Sequence, residues 1–115
     1  MMKPPRVSIV IVNWNGKDLL GPGLSSLRQQ HYHDFEVVVV DNGSTDGSSA
    51  FVRESFPEVR LLELPTNRGF AGGCNVGIRA TQSELIATLN NDTTVEPEWL
   101  GELIRAMDAH DEAGS

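Results

Sequence analysis

Asp92, in the run Asn90-Asn91-Asp92, is the carboxylate in this sequence best placed to hold a metal ion. It follows closely on a short apolar run, residues 85–89. Hard divalent cations take oxygen ligands, and Mg²⁺ is often held by one or two carboxylates together with the phosphates of a substrate. The same residue can instead cap the turn that follows, and the residue pattern alone leaves these two interpretations open.

Three further clusters of polar residues follow apolar runs elsewhere in the chain. They are Asn13-Trp14-Asn15-Gly16, Asp41-Asn42-Gly43-Ser44-Thr45-Asp46 and Asn67-Arg68-Gly69. Asn, Asp, Gly and Ser are the residues that turns ordinarily use, so a single cluster of this kind indicates no function. Four such clusters at one edge of a sheet would instead favour a ligand site.

Several motifs of catalysis and nucleotide binding are absent from the sequence. There is no G-x-G-x-x-G after the first apolar run, no G-x-x-x-x-G-K-[ST] and no G-x-S-x-G. Their absence argues against a dinucleotide fingerprint, a P-loop and a hydrolase nucleophile elbow. His31 and His33 flank Tyr32 and could be metal ligands, but the segment is more typical of an exposed turn. Cys74 lies on an apolar stripe, which is more typical of a buried small residue than of a nucleophile.

Four short apolar runs predict the strands that must position these clusters. They are residues 7–12, 36–40, 59–64 and 85–89. Runs of this kind, mostly β-branched residues or leucine, are typical of strands covered on both faces, and the segments between them have helical spacing. The alternation predicts an α/β fold with a parallel sheet of about four strands and helices on both faces. The carboxyl ends of the strands then share one edge, where ligands bind beside the point at which the strand order reverses.

Stripes of apolar residues predict which helix faces are buried. Leu20, Leu24 and Leu27 mark the first helix, whose first turn Gly21-Pro22-Gly23 should delay or kink. Asp46 or Ser44 can cap the second helix. The other stripes are Phe70, Cys74 and Ile78 in a third helix, and Trp99, Leu100, Leu103, Ile104 and Met107 in a fourth that opens around Pro97.

Length and composition indicate a single domain, residues 1–115. Sixteen acidic residues against nine basic ones give a net charge of −7, which disfavours nucleic acid and anionic membranes as partners. The single Cys74 excludes an internal disulfide and fits a reducing compartment. No run approaches the roughly 18 apolar residues of a membrane span. Since no targeting signal is found either, we expect a cytoplasmic protein with no membrane span.

Three segments of the sequence resemble inverting glycosyltransferases of family 2. They are residues 7–15, residues 38–47 and the run Leu89-Asn90-Asn91-Asp92. Residues 67–73 and 75–77 add a likeness to the rhamnosyltransferase-like branch of that family. The similarity extends from Val7 to about Leu103, and the combination of the second and third segments is fairly specific to the family.

The resemblance implies a GT-A (Rossmann-like) fold, a UDP- or dTDP-sugar donor, and Mg²⁺ or Mn²⁺ as the cation. It also implies transfer of a sugar to a saccharide or lipid-linked acceptor, as in the synthesis of cell-surface polysaccharides. By position in the family's motifs, the implied nucleotide-sugar site consists of Val12, Asn13, Trp14, Asp41, Asn42, Gly43, Arg68 and Asn91.

The resemblance also implies a role for most of these positions. Residues 12–14 line the base pocket, Asp41 accepts a hydrogen bond from the base, and residues 42–43 shape the floor. Asn91 lies near the ribose, and Asp92 is the metal ligand. Asn90 replaces the first acid of the family's D-x-D motif, and Cys74 stands where many members carry Arg.

Family members are considerably longer than this chain, and their second half supplies the acceptor site and the catalytic base. We therefore expect a truncated fold, the donor-binding half with the acceptor half absent, and assign no catalytic residue. A non-catalytic nucleotide-binding or assembly module is the alternative. Without the rest of the sheet the fourth strand has an open edge, so we expect self-association, most simply a homodimer. Its contact would be that strand or the last helix around Trp99 and Leu103.

Overall fold

Strands and helices alternate along the chain in the order that the sequence predicts. The computed structural model describes residues 3–114, with side chains for residues 3–109. The elements are β1 (Val7–Asn13), α1 (Lys17–Arg28), β2 (Phe35–Asn42), α2 (Ser48–Ser55), β3 (Arg60–Leu64), α3 (Gly69–Arg79), β4 (Leu85–Asn90) and α4 (Trp99–Gly114). The predicted α/β class is therefore confirmed.

The four strands of the described chain form one parallel sheet in the order β3-β2-β1-β4. β1 pairs with β2 on one side and with β4 on the other, so the strand order reverses beside β1. At the carboxyl end, Asn13 lies opposite Asp41 of β2, and Val12 lies opposite Asn90 of β4. This register brings the polar clusters that follow three strands to one edge of the sheet.

Helices cover both faces of the sheet, as the apolar runs predict. The larger core lies between the sheet and α1, α2 and α4. It contains Ile9 of β1 and Val39 of β2 together with Leu20 and Leu24 of α1, all of them buried. α3 lies on the opposite face, over a smaller core that includes Val10.

α1 begins at Lys17, ahead of Gly21-Pro22-Gly23, so the predicted delay of its first turn is wrong. The N–H of Leu20 donates to the carbonyl of Gly16 at 3.0 Å and starts the helix. Pro22 removes only one backbone hydrogen bond to the preceding turn. Burial of the leucine stripe against the core stabilises the helix across that gap, because helices in proteins depend mainly on packing.

α3 packs on the sheet through glycine, and not through the predicted stripe of Phe70, Cys74 and Ile78. Gly77 is buried, whereas Phe70 is 60% exposed and Ile78 is 39% exposed. A Cβ on Gly77 would lie 2.5 Å from Cγ1 of Val10. The helix thus lies so close to β1 that a larger side chain does not fit, and the large apolar side chains point away from the sheet.

α4 contributes Leu100 and Ile104 to the larger core, as predicted. Trp99 and Leu103 are half-buried and pack against the same core. Met107 is 39% exposed and does not belong to the buried face that the sequence predicts. Along residues 3–114, no helix combines the length and the apolar character needed to cross a membrane.

β4 is an edge strand in the described part of the chain, since it pairs with β1 alone. Leu85 and Leu89 are half-buried against the larger core, whereas Ile86 and Thr88 on the other face are exposed. The prediction of burial on both faces is wrong for this strand. The reason is the position of α3, which lies over β1 and β2.

Candidate functional site

The side chain of Asn13 links the carboxyl ends of three strands. Its Nδ2 donates to Oδ1 of Asp41 on β2 at 3.1 Å. Its Oδ1 accepts a hydrogen bond from Nδ2 of Asn91, just after β4, also at 3.1 Å. Asn13 is fully buried, so both ends of its amide are satisfied inside the protein. The structure therefore brings together three of the residues that the sequence predicts for one site.

The carboxylate of Asp41 is only 3% exposed and already has two donors within the protein. Besides the bond from Asn13, its Oδ2 accepts the backbone N–H of Ser44 at 3.1 Å. An ionised carboxylate has about four acceptor sites, so these two bonds leave capacity for a ligand. Asp41 thus shapes its own loop, and its predicted hydrogen bond to a base stays a prediction.

Gly16 permits the contact between Asn13 and Asn91. A Cβ at Gly16 would lie 2.5 Å from Oδ1 of Asn13 and 3.3 Å from Cγ of Asn91. Any larger residue would therefore separate the two side chains. Trp14 lies between Asn13 and Gly16 in the sequence. Its indole is 55% exposed and accessible at the edge of the sheet.

Asn15 and Ser44 join the loop after β1 to the loop after β2, a role that the sequence does not reveal. The N–H of Asn15 donates to Oγ of Ser44, and the N–H of Thr45 donates to Oδ1 of Asn15, both at 2.8 Å. Asn15 has a φ of 51°, in the left-handed region that Asn tolerates better than most residues. The Asn-Gly pair at positions 15–16 indicates a turn, but not the contact of that turn with the loop after β2.

Asn42 holds the start of α3 against the end of β2. Its Oδ1 accepts the N–H of Arg68 at 2.8 Å, and its Nδ2 donates to the carbonyl of Gly69 at 2.9 Å. Gly43 has a φ of 79°, and a Cβ there would lie 2.9 Å from the backbone nitrogen of Asn67. Residues 42–43 therefore place Arg68, which is exposed, at the same edge as Asp41.

Asp46 connects the first residues of two helices. One carboxylate oxygen accepts the N–H of Lys17 at 3.0 Å, and the other accepts the N–H of Ser48 at 3.0 Å and its hydroxyl. Burial acts to raise the pKa of Asp46, but the hydrogen bonds from Ser48 and Lys17 outweigh it and hold the pKa below its ordinary value. Gly47, rather than the predicted Asp46 or Ser44, is the N-cap residue of α2, but Asp46 accepts the N–H of the first residue of α2 and of α1.

Asp92 lies in the turn that follows β4, and its side chain is exposed. The turn is closed by a hydrogen bond from the N–H of Thr93 to the carbonyl of Asn90 at 3.2 Å. Asn90, two residues earlier at the end of β4, is also exposed and offers an amide oxygen. Among the described residues, no three His, Cys, Asp or Glu side chains gather as a metal cluster. Asp92 and Asn90 offer only oxygen atoms as ligands. Such ligands fit a hard divalent cation that is also coordinated by the phosphates of a bound ligand.

The remaining candidate nucleophile and metal ligands do not assemble into a site. Cys74 is half-buried on α3, and burial raises the pKa of its thiol, which disfavours the reactive thiolate. His31 pairs through Nδ1 with Glu98, and His33 is exposed. Within residues 3–109, the polar side chains of the carboxyl edge are therefore the best-supported site.

Comparison with known proteins gives a family and several relatives. A family model described as "Glycosyl transferase family 2" matches residues 8–115. Succinoglycan biosynthesis protein ExoO of Rhizobium meliloti (strain 1021) is 39% identical over 108 residues, which cover 93% of this chain and 31% of that protein. O-antigen biosynthesis protein RfbC of Myxococcus xanthus is 35% identical over 104 residues, covering 87% of this chain and 8% of that one.

Solved structures give the same fold. S. aureus TarS 1-349 in complex with UDP-GlcNAc superposes with a TM-score of 0.85 and 26% identity, covering 92% of this chain and 32% of that one. The mannosyltransferase PcManGT from Pyrobaculum calidifontis, in complex with GDP-Man and Mn2+, superposes with a TM-score of 0.80 and 29% identity. The match covers 89% of this chain and 32% of that one. The chain thus has the predicted GT-A-like fold, and it spans about a third of the length of these structures.

Proposed function

Because the chain belongs to glycosyl transferase family 2, we propose that it is the donor-binding part of an inverting glycosyltransferase that takes a nucleotide sugar. The observation that carries the proposal is the chain of side-chain hydrogen bonds from Asn91 through Asn13 to Asp41. It places residues of β1, β2 and β4 at the switch point of the sheet, where α/β folds bind ligands. Asp92 is the next residue after Asn91, at one end of this series of hydrogen bonds.

The nucleotide would lie along the carboxyl edge of the sheet. Residues 12–14 would line the base pocket, with Asp41 accepting an N–H of the base and Asn91 near the ribose. Arg68, which Asn42 holds at the edge, would lie beside the negatively charged donor. UDP- or dTDP-sugars are the proposed donors, and the complex of TarS with UDP-GlcNAc supports a uridine donor for a chain of this fold.

Asp92 would hold the divalent cation, Mg²⁺ or Mn²⁺. Its exposed carboxylate follows two residues after the exposed amide of Asn90, and the structurally similar PcManGT is in complex with Mn2+. A cation bound there would offset the negative charge that develops on the departing nucleoside diphosphate.

Transfer requires an acceptor hydroxyl, a base that takes its proton, and departure of the diphosphate from the anomeric carbon. We assign the residues of this chain to donor binding, and the base to the part of the relatives' length that this chain does not span. A saccharide or a lipid-linked saccharide is the proposed acceptor, since relatives are described as succinoglycan and O-antigen biosynthesis proteins. Transfer of rhamnose, in the rhamnosyltransferase-like branch, is the narrower form of the proposal, and the cytoplasmic location stays a prediction.

Self-association is the remaining part of the proposal. β4 pairs with β1 alone among the described residues, and Ile86 on its open face is 40% exposed. Trp99 and Leu103 are half-buried against the larger core, so they offer less free apolar surface than the sequence suggested. An open apolar edge is a template for a second copy, and the proposed contact is therefore β4 rather than α4.

Isothermal titration calorimetry tests the donor-binding proposal. UDP, dTDP and GDP are titrated into the chain with MnCl₂ and, separately, with EDTA. We expect UDP or dTDP to bind most tightly, and Mn²⁺ to increase the affinity. No binding of any of the three at millimolar nucleotide would contradict the proposal. Turnover of a UDP-sugar by this chain alone would contradict the placement of the base outside it.

A further inference from the structure

The loop that carries Asp92 is attached to α1 at several points. This β4–α4 loop, residues 91–98, has no helix or strand of its own. We group three of its contact residues, Gly23 and Ser26 in α1 and Gln30 just after the helix, as the α1 clamp. Gly23 and Ser26, three residues apart, lie on one face of the helix, and Gln30 follows just beyond its end.

The first contact is a close approach of backbone to backbone at Gly23. A Cβ on Gly23 would lie 2.6 Å from the carbonyl oxygen of Thr93 and 3.9 Å from that of Asn91. Thr93 directly follows Asp92. Because the neighbouring atom belongs to the backbone, any side chain at position 23 would push the loop away from α1.

The second contact is made by the hydroxyl of Ser26. Its Oγ donates to the carbonyl of Gly23 at 2.7 Å and accepts the N–H of Val95 at 3.1 Å. One hydroxyl thus joins the helix backbone to the loop three residues beyond Asp92.

The third contact is made by the amide of Gln30, which is 2% exposed. Its Nε2 donates to the carbonyl of Glu96 at 2.7 Å, and its Oε1 accepts the N–H of Leu100 at 2.9 Å. A buried amide with both ends satisfied holds its partners in one geometry. Gln30 therefore fixes both the end of the loop and the first turn of α4.

We infer that the α1 clamp positions Asp92 for metal-dependent donor binding, although none of its residues would touch the donor. Asn91, on one side of Asp92, is held by Asn13, and Thr93, on the other side, is held against Gly23. The exposed carboxylate thus extends from a short segment attached at both ends. Residues that orient a metal ligand affect metal affinity without contacting the ion. This inference rests on the proposed function.

Two glycines of the same helix provide a matched pair of variants. In Gly23→Ala the added Cβ meets the Thr93 carbonyl, whereas in Gly21→Ala it lies 3.5 Å from Cζ of Phe51, an ordinary contact. Calorimetry with UDP measures affinity with MnCl₂ and with EDTA, and the ratio of the two is the metal enhancement. We expect Gly23→Ala to reduce this enhancement roughly tenfold or more, with a smaller loss of affinity in EDTA than in MnCl₂. Gly21→Ala should keep both values.

Ser26 provides a second pair that adds no backbone clash. Ser26→Ala removes the acceptor for the N–H of Val95 and should reduce the enhancement, whereas Ser26→Thr retains a hydroxyl and should preserve it. Circular dichroism checks the fold of each variant. If Gly23→Ala does not fold, the Ser26 pair decides.

The outcomes separate the inference from the function on which it rests. If the wild-type chain binds no nucleoside diphosphate, or binds one without any effect of Mn²⁺, the proposed metal-dependent function fails and the inference falls with it. If the wild type shows the enhancement and folded clamp variants keep it, the inference alone is overturned. An equal loss of affinity in EDTA and in MnCl₂ would indicate a general structural role, and also overturns the inference.

Discussion

Asn91 donates a side-chain N–H to the side-chain oxygen of Asn13 at 3.1 Å, across 78 residues of sequence. Asn13 in turn donates to Asp41, so one buried amide connects the proposed metal-binding side of the edge with the proposed base-binding side. Gly16 is what allows this contact, because a Cβ there would lie 2.5 Å from Oδ1 of Asn13. The two halves of the proposed donor site are therefore one hydrogen-bonded unit rather than two separate loops.

Asp92→Asn should remove the effect of Mn²⁺ on nucleotide binding and leave the fold intact. The change keeps the size of an exposed side chain but deletes its charge, and a hard cation depends on anionic oxygen. Calorimetry with UDP in MnCl₂ and in EDTA measures the effect. Glu54→Gln, an exposed acid on α2, is the matched control and should bind as wild type does. A metal enhancement that survives in Asp92→Asn would rule out Asp92 as the metal ligand.

Asp41→Asn should lower both stability and nucleotide affinity. Its carboxylate accepts hydrogen bonds from Asn13 and Ser44, and an amide would turn an NH₂ toward one of these donors. Bonds to a charged group contribute about 1.5–3 kcal/mol, so we expect the free energy of unfolding in urea to fall by roughly that amount. If Asp41 also accepts an N–H of the base, UDP affinity falls about tenfold or more.

Asp34→Asn is the control for Asp41, since Asp34 is exposed. It should change neither the free energy of unfolding nor the affinity for UDP. An Asp41→Asn variant that is destabilised but binds UDP normally would show that Asp41 only holds its own loop.

Asp46 should stabilise the chain at neutral pH and stop doing so in acid. Its pKa is lowered in the folded state, so the contribution is present above the unfolded pKa and is lost as the pH falls through the lower folded value. Asp46→Ala should therefore cost about 1 kcal/mol at neutral pH, the scale usual for a side chain that accepts N–H groups at a helix N-terminus. Urea unfolding of both proteins from neutral to acid pH measures the difference, which should vanish at the acid end. If the difference in unfolding free energy between wild type and Asp46→Ala does not change with pH, or if Asp34→Ala shows the same difference, this role is contradicted.

Gly77→Ala should destabilise the chain, whereas Phe70→Ala should change stability little. The added methyl group would lie 2.5 Å from Cγ1 of Val10 and 3.0 Å from Cγ2 of Val40, and overpacking of this kind costs about 1–3 kcal/mol. Phe70, in contrast, is 60% exposed. Urea unfolding compares the two variants. A larger loss of stability in Phe70→Ala than in Gly77→Ala would contradict this prediction and indicate that the apolar stripe is the packed face of α3.

The chain should self-associate through β4. Ile86→Lys places a charge on the exposed face of this edge strand, as natural edge strands do to prevent pairing, and should shift the equilibrium toward monomer. Light scattering at micromolar concentration reports the mass. Leu19→Lys, at a position on α1 that is 50% exposed, is the control and should associate as wild type does. A wild-type chain that is a monodisperse monomer would exclude the proposed contact.

The apolar runs of the sequence by themselves determined the order of strands and helices and the parallel sheet. Runs of five or six residues that are mostly Val, Ile and Leu, each ending at Asn, Asp or Pro, are typical of a covered strand. Parallel strands then bring Asn13, Asp41 and Asp92 toward one edge whatever the details of packing. The location of the candidate site was predictable for this reason.

Only the tertiary structure decided how closely the elements approach one another. Periodicity counts apolar side chains, and it therefore favoured Phe70 and Ile78 over Gly77, which packs closest because it has no side chain. The contacts of Ser26 and Gln30 with the β4–α4 loop also escape any sequence pattern. A hydrogen bond between a side chain and the backbone of a distant segment depends on separation in space, and a loop without periodicity carries no signal of the helix it lies against.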